Sequence, residues 1–236
     1  GGATIVVSAR SKEKADSAAE DVKAATGAKD VLGIELDLAD LKSVASAGKK
    51  LDAALGGNAQ LDCLLNNAGV MAIPERLQTA DGFERTVGVN HLGHFALVAA
   101  LLPSLKRAKS GFRVINVSSD AHKFVTGPAL TEALKSDLDP SDYSAWGAYG
   151  LSKAANILFT VELQKRIDAA GLDGAAVSLH PGVVQTDLAR YIIGGVEAGD
   201  VRLSETAEKP KGTCVCSHAL LLACFAQRTP RTPLSL

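Results

Sequence analysis

Aromatic residues are scarce in this chain. Tryptophan occurs once, and Phe, Tyr and Trp together make up 4% of it. A core must therefore be built from aliphatic side chains. Cysteine occurs four times. Cys63 sits in an apolar, strand-like run, and Cys214, Cys216 and Cys224 crowd the C-terminus, which is no disulfide framework. Cys214, Cys216 and His218 lack the four-ligand spacing of a zinc site, so no metal is expected. The plain reading is reduced thiols in an intracellular protein. Net charge is lacking too: 25 Lys and Arg against 26 Asp and Glu give −1. No global basic field argues for nucleic acid. The longest nearly uninterrupted apolar run, "ALLLACFA" at 219–226, is far too short to span a bilayer. No transmembrane segment is expected, and no signal or transit peptide is visible. The chain opens "GGATIVVSAR" without an initiator Met, so its natural N-terminus is expected upstream. Location is left open between cytoplasm and organelle.

What is present suits one globular domain over 1–236. The chain has 236 residues, 47% apolar and 22% charged, enough for a sizeable core. "ATIVVSAR" (3–10) is a β-branched run, read as a buried parallel strand. In 11–27, Ala15, Ala18, Ala19, Val22 and Ala25 fall on one helical face, with Ser11 as cap and Gly27 as stop. Strands are predicted at 30–38, 61–69, 112–119 and 174–182. Helices are predicted at 39–57, 81–109 (with Pro103 as a break or kink) and 144–170. No repeat, low-complexity segment or linker divides the chain.

Strands alternating with helices predict right-handed crossovers and a parallel sheet covered on both faces. Ligands of such sheets bind beyond the carboxyl ends of the strands. The unusual residues lie at those ends: Arg10, Asp37, the "NNAG" turn at 66–69, Ser118 and Ser119, and "HPG" at 180–182. One more pair stands out within the last helix. "AYGLSKAAN" (148–156) puts Tyr149 and Lys153 one helical turn apart on one face. Alone this is weak, since chance gives such a pair in roughly one chain of this size in three. A phenol ionises near pH 10. A neighbouring ammonium favours the phenolate, which suits Tyr149 for proton transfer.

Five segments occur in order and at matching spacing: "LLNNAG" (64–69), "DGFERTVGVNHLGHFAL" (81–97), "RVINVSSDAH" (113–122), "YGLSKAANILFTVEL" (149–163) and "LHPGVVQTDL" (179–188). On these the chain, from Gly2 to about Ile193, resembles the short-chain dehydrogenase/reductase family, most of all its retinol-dehydrogenase-like branch. The resemblance implies a Rossmann-like, doubly wound parallel sheet in three α/β/α layers. It implies hydride transfer between NADP(H) and an apolar alcohol or carbonyl substrate, with Tyr149 as general acid or base. Lys153 would also bind the nicotinamide ribose, and the positive ring of the oxidised cofactor would further favour the phenolate. Ser119, preferred over Ser118, would hydrogen-bond the reacting oxygen. Asn90 would stabilise a bend in its helix and hold a proton-relay water. For the cofactor, Asp37 and Leu38 would hold the adenine. Asn67, Ala68 and Gly69 would pack on the adenine ribose, where Gly69 allows close approach. Pro181, Gly182, Val183 and Thr186 would fix the nicotinamide carboxamide. Arg10 follows Ala9, which stands where an NAD enzyme would carry an acid. A guanidinium there suits a 2′-phosphate and favours NADP over NAD.

Other readings are weaker. His91 and His94 lack a carboxylate or cysteine partner for a metal. Ser119 and His122 lack the G-x-S-x-G pattern of a hydrolase. The family begins with a strand and a Gly-rich turn that cradles the pyrophosphate, and the sequence holds no such turn. The corresponding strand would lie centrally, between those at 3–10 and 61–66. The sheet is therefore expected to be incomplete at its N-terminal side and, with no last strand in the atypical 205–236 tail, at its C-terminal side. "RTPRTPLSL" reads as disordered. A chain of this extent is expected to be unstable and to bind dinucleotide poorly. The alternative reading is a non-catalytic nucleotide-binding scaffold or inactive fragment of the same family. The 120–143 insert is expected to help shape the pocket, and a homo-oligomer is left open.

Overall fold

The computed structural model describes residues 2–136, 139–182 and 188. Among these residues five strands alternate with helices, and every strand pair is parallel. Strand β1 (Ile5–Ala9) leads through α1 (Lys12–Thr26) to β2 (Val31–Glu35). The Ser11 hydroxyl caps α1 by accepting the Lys14 amide, and Gly27 ends it at φ 70° with its N–H on Lys23 O. Ala15 and Ala19 are buried as the spacing predicts, whereas Ala25 is exposed. The helix lies directly on β2: a Cβ at Gly33 would stand 2.5 Å from the carbonyl carbon of Ala15.

The helix predicted at 39–57 is two short ones, α2 (Leu41–Ala45) and α3 (Ala47–Ala54). Serines divide it. The Ser46 hydroxyl donates to Ser43 O at 2.6 Å, while Ser43 Oγ accepts the Asp37 amide at 3.0 Å. Hydroxyls that take backbone partners compete with the helix ladder. Strand β3 (Cys63–Asn66) follows.

The long apolar helix also starts later than its pattern suggests. Buried Glu84 caps α4 (Arg85–Val87), accepting the amides of Thr86 and Val87 at 2.8 and 2.7 Å. A π turn (Gly88–Leu92) intervenes, in which Gly93 N–H reaches back to Gly88 O, and α5 (Gly93–Lys106) continues from it. Pro103 neither breaks nor ends α5. The carbonyl four residues earlier belongs to Ala99, on an exposed face where water can satisfy it. The run Arg85–Lys106, with mean hydropathy 1.3, is long and apolar enough to cross a membrane, a feature the search for uninterrupted runs missed. Half of its apolar window is buried inside the fold, as in a core helix.

Strand β4 (Phe112–Val117) ends at a 3₁₀ turn (Asp120–Phe124) capped by Ser119. The insert then forms α6 (Gly127–Ser136), which the sequence reading did not find; Leu130 packs with Ala148 and Leu151. Helix α7 (Ala145–Ala169), capped by Ser144 on the Gly147 amide, leads to β5 (Gly174–Leu179).

The strands form two pieces, β1–β2 and β3–β4–β5. The expected parallel, helix-flanked architecture is present, and so is the expected gap: among the described residues, β1 and β3 each have a strand neighbour on one side only. Helices span the gap. Val6 of β1 and Leu64 of β3 pack against one cluster of Leu36, Val44, Leu51, Leu97 and Leu101. A second cluster, with Val98, Leu105, Phe112, Val114 and Ile167, seats α5 and α7 on the β3–β4–β5 sheet. Each such buried aliphatic side chain stabilises by about 1.5–3 kcal/mol.

Candidate active site

The strand exits converge on the π turn. A Cβ at Gly93 would lie 2.5 Å from Leu38 O, so the exit of β2 rests on the start of α5. The exit of β3 is held one turn earlier. Asn90, fully buried, donates Nδ2 to Val70 O at 2.9 Å and accepts the Val70 amide on Oδ1 at 2.8 Å. Its Nδ2 also donates to Ser152 Oγ on α7 at 3.0 Å. The π turn stands where the family resemblance implied a bend at Asn90.

Tyr149 and Lys153 are both buried on α7, with the Lys153 Nζ 5.5 Å from the centroid of the Tyr149 ring. The ammonium donates to Val117 O at the end of β4, at 3.0 Å. Burial holds its pKa down to about 8. Burial likewise pushes the Tyr149 phenol above its ordinary range, and the Ser119 hydroxyl offsets part of that rise. The balance is upward, opposite to the lowering expected from the ammonium. Desolvation of the phenolate dominates. At neutral pH the site therefore holds a protonated phenol beside a charged lysine. Of the two serines, Ser118 is spent on structure, donating to Lys153 O at 2.8 Å. Ser119 is the one beside the phenol.

The expected cofactor residues lie at the strand exits. Arg10 is exposed just past β1, and the amide of Leu36, from the neighbouring exit, donates to Ala9 O at 2.8 Å. Asp37 is half-buried and accepts the Ala39 amide on Oδ1 at 2.9 Å. Asn67 and Ala68 are exposed, and Gly69 crosses directly over the site: a Cβ there would be 3.1 Å from Asn90 Oδ1 and 3.8 Å from Lys153 Nζ. Pro181 and Gly182 follow β5, Gly182 at φ 81°. Val183 and Thr186, like the C-terminal cysteines and tail, lie outside the described residues.

Several residues the sequence reading passed over complete the arrangement. Asn156 Nδ2 donates to Asn90 O at 3.0 Å, and His91 Nδ1 contacts Asn156 Oδ1 at 3.1 Å. His94 Nδ1 donates to the same Asn90 O at 3.0 Å, and burial lowers its pKa to about 4. Behind them Asn66 donates to Asn116 Oδ1, and Asn116 to Thr160 Oγ1. Tyr149, Lys153, Asn156 and Thr160 follow helical spacing along one polar stripe of α7, of which the sequence marked only the first two. Among the described residues no group of His, Cys, Asp and Glu could hold a metal ion.

A buried Tyr–Lys pair one helical turn apart, with a serine at the phenol and a π turn pinned by an asparagine, thus lies at the strand exits of a parallel α/β fold. The family model described as short chain dehydrogenase matches residues 1–130. The chain belongs to that family, in its retinol-dehydrogenase-like branch. It is 42% identical over 190 residues to retinol dehydrogenase 11 of Homo sapiens, covering 80% of this chain and 56% of that protein. A crystal structure of an uncharacterised protein from Mycobacterium paratuberculosis is similar at 41% identity and TM-score 0.62, over 82% of this chain and 65% of that one. The Pseudomonas aeruginosa RhlG/NADP active-site complex is similar at 28% identity and TM-score 0.59, over 81% and 67%. The chain spans little more than half the length of the curated relatives it matches.

Proposed function

We propose that this chain carries the proton-transfer and nicotinamide-facing part of an NADP-dependent oxidoreductase acting on an apolar alcohol or carbonyl compound. The observation that carries the reading is the buried Tyr149 phenol at the Ser119 hydroxyl, with the Lys153 Nζ 5.5 Å from the centroid of its ring. Lys153 would hold the nicotinamide ribose, and Pro181 and Gly182, which follow β5, its carboxamide; Val183 and Thr186, assigned the same role, lie outside the described residues. Asp37, Leu38 and the exposed turn of Asn67, Ala68 and Gly69 would take the adenosine half, with Arg10 on a 2′-phosphate. When bound, the nicotinamide supplies or accepts the hydride.

In the reducing direction Tyr149 would give its proton to the substrate oxygen. In the oxidising direction its phenolate would take the proton of the substrate hydroxyl. Ser119 donates to the oxygen in both directions. Lys153 stabilises the phenolate by Coulomb attraction in a site largely closed to water. Asn90 would hold a relay water through Oδ1, since its main-chain oxygen already accepts from His94 and Asn156.

The RhlG complex with NADP supports this choice of cofactor, as does Arg10 beside Ala9. A second reading is a nucleotide-binding scaffold without turnover. The test is NADPH consumption with an apolar aldehyde, run beside direct titration of NADPH. Turnover supports the first reading, and binding without turnover supports the second.

A further inference from the structure

The aromatic residues of this chain are few, yet three of them form one ladder at the reacting group. The Trp146 ring meets the Tyr149 ring edge-on at 6.0 Å between centroids, and the Phe124 ring meets Trp146 edge-on at 6.3 Å. The inner rung is buried. The outer rungs are open: Trp146 is 45% exposed and Phe124 66%. Exposing two large aromatic rings side by side forgoes burial that the fold could otherwise gain.

The ladder is held in place from behind. Gly150 lets the 3₁₀ turn lie against α7, since a Cβ there would stand 2.7 Å from Ala121 O and 3.4 Å from the Phe124 Cβ. Ser119 opens that same turn as its cap, so the residue beside the phenol and the outermost ring ride on one short element. The ladder also has a direction. Along α7, Trp146, Tyr149 and Lys153 share a face at helical spacing. Lys153 marks the cofactor end. A substrate with its oxygen at Tyr149 that extends away from Lys153 passes Trp146 and Phe124.

We propose that Trp146 and Phe124 are specificity-determining residues: they form an apolar wall that grips the hydrocarbon body of an extended alcohol or aldehyde whose oxygen lies at Tyr149. This rests on the oxidoreductase reading and adds to it the region of the site that selects long, apolar substrates.

The experiment compares decanal with propanal as substrates for the protein with NADPH. Removing the wall lowers kcat/KM for decanal relative to propanal, because only the long chain reaches the rings. Trp146→Ala and Phe124→Ala are each expected to reduce the decanal-to-propanal ratio by about tenfold or more, the effect of losing contact with a few methylenes. Trp146→Phe, which keeps a ring, is expected to retain most of the ratio. A smaller fall in both alanine variants overturns the proposal. A second readout needs no turnover. Trp146 is the sole tryptophan, so its emission reports on this wall alone. In the presence of NADP, decan-1-ol is expected to shift that emission saturably, and propan-1-ol at equal concentration is not. An emission unmoved by decan-1-ol overturns the proposal. A saturable shift without any turnover would leave the wall standing and remove the oxidoreductase reading.

Discussion

His91 and Asn156, sixty-five positions apart, meet side chain to side chain at 3.1 Å across the interface of the π turn and α7. The meeting fixes both groups. Asn156 Nδ2 points at two carbonyl oxygens, Asn90 O at 3.0 Å and Val117 O at 3.4 Å, so its Oδ1 faces His91 and must accept. His91 therefore carries its proton on Nδ1. Val117 O is also the acceptor of the Lys153 ammonium, so one amide ties the helix bend, the end of β4 and the lysine together.

Asn156→Leu is expected to lower stability by about 1–3 kcal/mol, because it leaves the His91 N–H without its acceptor and removes a donor from Asn90 O. Urea denaturation of the two proteins measures it. A loss under about 0.5 kcal/mol, within the range of an ordinary surface change, would show that the amide is not what joins these elements.

His94 gives the fold a pH dependence of known sign. Its folded pKa, about 4, lies below the ordinary 6.5 because burial disfavours the imidazolium. The unfolded chain binds that proton first, so stability is full above pH 6.5 and falls as pH drops toward 4. The loss across that window is of order 3 kcal/mol for His94, and His91 shifts the same way. His94→Gln, which can still donate to Asn90 O, is expected to flatten the profile of urea midpoint against pH between 6.5 and 4. An unchanged slope would assign the acid sensitivity elsewhere.

Lys153 titrates within reach of ordinary assays. With its pKa at about 8, it is charged below that pH and neutral above it. The value of kcat/KM for NADPH, which reports the free enzyme, is expected to fall as pH rises through about 8. Lys153→Arg keeps its charge throughout. It is expected to lower the plateau but to remove that fall. A wild-type profile flat between pH 7 and 9.5 would contradict the assignment.

Arg10 is expected to read the 2′-phosphate. Arg10→Asp should move the ratio of specificity constants for NADP over NAD toward NAD by about tenfold or more, equivalent to about 1.4 kcal/mol. An unchanged ratio would mean that the exposed guanidinium touches no part of the cofactor.

The strands were legible because short β-branched runs such as 3–10 and 112–119 have few alternatives between turn signals. Tyr149, Lys153, Ser119 and Asn90 were legible through the family pattern, and the structure gathers them around α7 and the π turn. What escaped depends on contacts distant in sequence. Asn156 and Thr160 look like unremarkable polar residues on an apolar helix until β4 and the π turn are placed against them. The family pattern preferred Ser119 over Ser118, and the contact of Ser118 with the Lys153 carbonyl gives that preference its physical reason. The break at Ser46 and helix α6 also escaped, since a serine mid-helix is ambiguous and α6 is secured through Leu130 against α7. Of the break or kink expected at Pro103, the break does not occur, because the rule against proline weakens where the orphaned carbonyl faces water.

Tyr149→Phe tests the central claim most directly. The substitution removes one hydroxyl and keeps the ring that packs on Trp146. NADPH consumption with decanal, measured beside the dissociation constant for NADPH, separates chemistry from binding. If Tyr149 moves the proton, turnover should fall by about 10²–10⁴-fold while NADPH affinity stays within about twofold of wild type. Retention of more than about a tenth of wild-type turnover would contradict the assignment of Tyr149 as the acid and base of this site.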